Sequence, residues 1–152
     1  MTYYADGTLL QRPGLLEWQK NHRDAFGVVS TLGEARRRRS WRTFGWLEPG
    51  NDYRTGACPP EFLRVLEAAA DHPVNRTRGI HRCQLCPTST QDIMAPAPSY
   101  PTTTGRLLHL GSASLEVRDA NGQIWIAPTL VLHYIAEHGY LPPAELADAG
   151  PA

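Results

Sequence analysis

From Ala113 onward the chain alternates, with Ala113, Leu115 and Val117 apolar and Ser114 and Glu116 polar between them. Asn121-Gly122 then offers a turn, and Ile124-Trp125-Ile126 leads back. A period of two on either side of such a dipeptide predicts a β-hairpin with one buried face. Pro128 then opens a helix at its tolerated first position: Leu130, Val131, Tyr134, Ile135 and His138 recur as its apolar face, and Gly139 supplies its stop. A second helix is predicted over 60–71, opening on Pro60 with the stripe Phe62, Leu63, Leu66, Ala69 and Ala70, and ending at His72-Pro73.

Toward the N-terminus the pattern is weaker. Asp6-Gly7 between Tyr3-Tyr4 and Leu9-Leu10 predicts a small hairpin over 2–10. Short helices are expected over 15–22 and over 31–42, the latter with Thr31 and Glu34 spaced as a capping box. Trp41, Phe44, Trp46 and Leu47 form an aromatic cluster ahead of the Glu48-Pro49-Gly50 turn. Positions 87–104 carry Pro87, Pro96, Pro98 and Pro101 among small polar residues, which predicts an extended loop inserted in the domain. There is no internal repeat. The elements sum to a small α+β domain over 1–152, with N-terminal helices and a C-terminal knuckle, β-hairpin and α-helix.

Length and composition narrow the function classes. A chain of 152 residues buries roughly 70% of its unfolded surface on folding, so a metal need not be its sole support. Fifteen basic residues balance fifteen acidic ones, which excludes a global field for nucleic acid or anionic membrane. No stretch approaches the about 18 apolar residues of a membrane span and no signal-like leader opens the chain, so a cytoplasmic protein is expected. Three cysteines are too few, and odd in number, for a disulfide framework; in a reducing compartment they are thiols or metal thiolates.

Cys83 and Cys86 have the C-x-x-C spacing that brings two thiolates to one ion, and soft sulfur donors favour zinc. His133 and His138, both on the last predicted helix, fall within the histidine spacing of zinc sites. Knuckle, loop, hairpin and helix with two ligands is the layout of a treble-clef zinc finger. Residues five apart on an ideal helix point about 140° apart, so both histidines reach one ion only if the last turn deforms. His81, two residues before Cys83, is the reserve ligand. Catalytic residues are unknown: there is no H-E-x-x-H, His133-x-x-x-Glu137-His138 is one residue too long for H-x-x-E-H, and His81-Arg82-Cys83 lacks the glutamate of the deaminase H-x-E. A redox dithiol is disfavoured, because no strand and helix frame Cys83 as in a βαβ thiol oxidoreductase.

The strings Gly79-x-His81-x-Cys83-x-x-Cys86 and Ala127-Pro128-x-Leu130-x-x-His133-Tyr134-x-x-x-His138-Gly139-Tyr140-x-Pro142-Pro143 resemble an uncharacterised family of short bacterial proteins. Gly45-Trp46-Leu47-Glu48-Pro49-Gly50 and Pro59-Pro60-Glu61-Phe62-Leu63 extend the resemblance. It implies that Cys83, Cys86, His133 and His138 belong to the family pattern and that Cys58 is peculiar to this chain; no activity comes with the resemblance. The expected function is a structural Zn2+ site in an interaction or scaffold module with a protein partner. A zinc hydrolase or deaminase-like enzyme with a non-standard site using His133 and Glu137 is the alternative. Nucleic-acid binding through Arg36-Arg37-Arg38-Arg39, with Trp41 and Trp46 to stack bases, is a further one, not favoured because consecutive arginines fan around a helix and Glu34 can pair with Arg38.

Overall fold

The computed structural model describes residues 3–12, 39–87, 94 and 96–152. Five strands form the main sheet: β1 (Leu9–Arg12), β2 (Arg39–Thr43), β5 (Ser114–Arg118), β6 (Ile124–Pro128) and β7 (Gly150–Pro151), in the order β1-β2-β6-β5-β7. All neighbours are antiparallel except β2 and β6, which run parallel with Trp41 opposite Ile124 and Thr43 opposite Ile126. A second, two-stranded ladder pairs β3 (Ser99–Pro101) with β4 (Leu107–His109). Among the described residues there are two α-helices, α1 (Pro60–Ala70) and α2 (Val131–His138), plus a 3-10 turn at Ala144–Leu146. The fold class is α+β, as the hydrophobic pattern predicts. No helix among the described residues is long and apolar enough to cross a membrane.

The β5–β6 hairpin forms as its alternation requires. Leu115 and Val117 are fully buried, and the turn is fixed by Asp119, whose Oδ1 accepts the N–H groups of Asn121 and Gln123, both at 2.9 Å. Helix α1 matches its predicted span and buries Phe62, Leu66 and Ala70, four residues apart along one face. Its next residue on that side is charged: Glu67 is only 5% exposed, and it is the anchor for the β3–β4 ladder. The Glu67 carboxylate accepts the Tyr100 hydroxyl at 2.8 Å, the Thr103 hydroxyl at 2.8 Å and the Thr103 N–H at 3.2 Å. Its lone pairs are thereby satisfied, which is the condition for burying a carboxylate at tolerable cost.

Four expectations need correction. The helix expected over 31–42 is contradicted at 39–42, which are strand β2; positions 31–38, and the helix expected over 15–22, lie outside the described residues. Trp41 and Thr43 favour strand, and pairing on both sides, with β1 and β6, overrides the local capping signal. Asp6-Gly7 does make a turn, closed by Thr8 N–H to Ala5 O at 3.1 Å, but its flanks do not pair with each other. They pair instead with the later strand segment, Tyr4 opposite Trp46 and Leu9 opposite Arg42. The Pro-rich insertion is not all loop, since 99–101 form β3, held by buried Tyr100; positions 88–93 and 95 lie outside the described residues. Pro128 ends β6 rather than opening a helix, and α2 begins three residues later.

Candidate metal centre

The two halves of the site arrive from distant parts of the chain. Residues 83–86 form a tight turn whose approach is set by the segment before it, where His81 N–H donates to Gly111 O at 2.8 Å. That contact is close on both sides: a Cβ at Gly111 would sit 2.3 Å from the His81 carbonyl oxygen, and the residue's φ is +98°. Only glycine accommodates both demands. Cys83 is buried, 3% exposed, and Cys86 is half-buried.

Helix α2 supplies the other half. Val131, Leu132 and Tyr134 are buried against the core, which turns the half-buried His133 and His138 toward the cysteine turn. The angular difficulty posed by their spacing is resolved at the helix end. Gly139, in the left-handed conformation at φ 64°, donates its N–H to Tyr134 O, five residues back, and Tyr140 N–H donates to the same oxygen at 3.1 Å. A turn closed over five residues is wider than an α-turn, so successive side chains rotate less and His138 swings back toward His133. Their ring centroids are 5.2 Å apart. Tyr53 steadies the same end by donating from its hydroxyl to His138 O at 3.2 Å.

The donor atoms converge. Cys86 Sγ lies 3.2 Å from His133 Nε2 and 3.4 Å from His138 Nε2, and Cys83 Sγ lies 3.3 Å from His138 Nε2. All four donor atoms fall within 4.8 Å of one another, close enough to hold one metal ion. With metal–sulfur and metal–nitrogen bonds of about 2.3 and 2.0 Å, a tetrahedral ion would space its sulfur and nitrogen donors about 3.5 Å apart, so the donor set fits such an ion. His81 is not in this group; it is exposed, and its backbone rather than its ring carries its role in the turn. Cys58 is also outside it, half-buried against the core with its thiol toward Pro59 O at 3.7 Å.

Burial holds Cys83 and His133 in their neutral forms when no cation is bound. Burial pushes the Cys83 thiol up to about 11, against the pull of the Leu85 and Cys86 backbone N–H groups, which favour the thiolate. Without a cation Cys83 is therefore a neutral thiol at pH 7, and a divalent ion at bonding distance reverses that preference. Burial, with the neighbouring His138 ring adding to it, lowers the His133 imidazole and keeps it in the neutral form that a metal requires.

Sequence reasoning named all four members of the cluster but missed what aims them. Gly111 and Tyr53 carry no motif; the only signal for Gly111 was a glycine directly ahead of a strongly predicted strand. Arg36–Arg38 of the basic run lie outside the described residues. Neither a search of curated proteins nor a search of solved structures returns a match to this chain. A family model does match, across residues 2–150, and the chain belongs to the family it describes as a domain of unknown function, DUF7919.

Proposed function

We propose that Cys83, Cys86, His133 and His138 hold one zinc ion in a closed structural site, and that the protein is a single-domain, cytoplasmic interaction module built around it in the manner of a treble-clef finger. The observation that carries this reading is the convergence of two sulfur and two imidazole donors at 3.2–3.4 Å across the chain. Two thiolates and two imidazoles suit zinc, whereas magnesium and calcium take oxygen donors. Four protein donors leave no position for water or substrate, so the ion would contribute folding free energy and not Lewis-acid chemistry. The order of knuckle, hairpin and two-histidine helix supports the treble-clef comparison.

On this reading the residues divide their work plainly. The turn at 83–86 presents two sulfurs, the widened end of α2 presents two Nε2 atoms, and the Gly111 contact holds the first against the second. Metal analysis of protein purified without an affinity tag is the test. About one zinc per chain is expected, while fully folded, metal-free protein of undiminished stability would overturn the reading.

A further inference from the structure

Positions 72–91 contain no aspartate or glutamate but three arginines, Arg76, Arg78 and Arg82. In a chain whose charges cancel, this run is a local basic patch. Arg76 and Arg78 are exposed, and neither makes a hydrogen bond or ion pair with another described residue. Arg82 donates from Nη1 to Pro96 O at 2.7 Å.

Asn75, Thr77 and His81 of this run, interleaved with its arginines, line a cleft of about 230 Å³ together with Trp46, Ser112 and Pro128. Trp46 uses its Nε1–H on Ile126 O at 3.3 Å and packs edge-on to Tyr4, so the indole surface left to the cleft is apolar. Asn75 sits at φ 52°, a left-handed conformation that asparagine tolerates. Two other clefts on the molecule carry carboxylates, Glu67 with Asp71 in one and Asp71 with Glu116 in the other; this one carries none. Its volume lies below the ~300–1,000 Å³ of pockets that enclose a whole small molecule, and suits one ring of a larger ligand. The matching ligand is flat, has hydrogen-bonding edges for Asn75 and His81, and belongs to a polyanion that the exposed Arg76 and Arg78, next in sequence to cleft-lining Asn75 and Thr77, would attract.

We propose that this cleft and the arginine run beside it bind single-stranded nucleic acid, one unpaired base entering against Trp46 while Arg76 and Arg78 draw in the phosphate backbone. A duplex would not serve, because a paired base cannot enter a cleft of this size. The proposal does not rest on the metal reading: none of Cys83, Cys86, His133 and His138 lines the cleft.

The test is fluorescence anisotropy with the full chain and a labelled single-stranded oligonucleotide of about ten nucleotides, at about 50 and 200 mM salt. Binding that weakens as salt rises is expected. The double variant Arg76→Ala, Arg78→Ala should lose about tenfold or more at the lower salt and flatten the log–log salt slope by about 1.4, or about 0.7 for each phosphate no longer neutralised. Trp46→Leu should lose about fivefold or more with the slope unchanged. Should that variant fold poorly, Asn75→Asp places a carboxylate on the exposed rim and is expected to lose about tenfold. Absence of binding at the lower salt would overturn the proposal, and so would full affinity in the double arginine variant. Equal affinity for a duplex of the same length, or for a mononucleotide, would overturn it too.

Discussion

The Tyr140 hydroxyl donates to the Asp6 carboxylate at 2.7 Å, a contact between residues 134 positions apart. Gly45 N–H, donating to the Tyr140 oxygen at 2.9 Å and to Asp6 Oδ1 at 3.1 Å, joins the same group. Although Asp6 as a residue is exposed, this pairing turns its carboxylate inward, and burial raises its pKa. Tyr140 is fully buried directly after the helix that carries both histidines, so the network ties the end of α2 to the N-terminal segment. Tyr140→Phe keeps the ring and removes the donor. A loss of about 1–3 kcal/mol is expected, read as a lower urea midpoint with unchanged slope. An unchanged midpoint would mean that the network adds nothing net.

Substitution of Cys83 and Cys58 should separate ligand from bystander. Cys83→Ser is expected to lose the metal and to melt at lower temperature, because binding and folding are coupled. Cys58→Ser, whose thiol touches no member of the cluster, should keep the full metal content. His81→Ala should keep it as well, with a small stability loss. Metal loss in either of the last two variants would redraw the ligand set.

Gly111→Ala tests the backbone contact that aims the cysteine turn. The added Cβ would meet His81 O at 2.3 Å in a left-handed conformation, so the turn must shift. The expected result is a loss of about 1–3 kcal/mol together with weakened metal retention against a competing chelator. Normal retention would show that the cysteines hold their position without this contact.

The metal-free protein should respond to pH at both ends. His133 has a lowered folded-state pKa, so the unfolded chain binds more protons as pH falls below about 6.5; stability should therefore rise with pH through that window. Cys83 is pushed from 9.0 to about 11, so between those values the folded state holds the extra proton and stability should fall as pH rises. Cys58 adds to the alkaline loss, since burial pushes it to about 11 as well. Melting curves from pH 9 to 11 in the protein and in Cys83→Ser isolate the share due to Cys83. Parallel curves would rule out a buried, protonated Cys83.

Legibility in the sequence tracked how local the cause of each feature was. The β5–β6 hairpin and α1 were readable because period, turn and stop signals all lie inside the element, and the cysteine and histidine spacings were readable because ligand geometry is short-range. β2 was not, since its partners β1 and β6 lie far away in sequence and their pairing outweighs a helix-capping signal upstream. The spacing of His133 and His138 requires a deformed last turn of α2 but does not specify its bond pattern. The burial of Glu67 carries no signal in the sequence, because its partners Tyr100 and Thr103 sit in a stretch that composition alone reads as loop. The DUF7919 match bears out the expectation of an uncharacterised family.

The parallel pairing of β2 with β6 has a kinetic consequence. Trp41 and Ile124 must meet across most of the chain, and the closure entropy of that loop is lost before any ladder bond forms. The β5–β6 hairpin and α1 need no such closure. Folding is therefore expected to begin in that hairpin and in α1, and to recruit β2, and β1 with it, onto a ready-made edge. The N-terminal strands would then be the last to join on folding and the first to leave under force or denaturant.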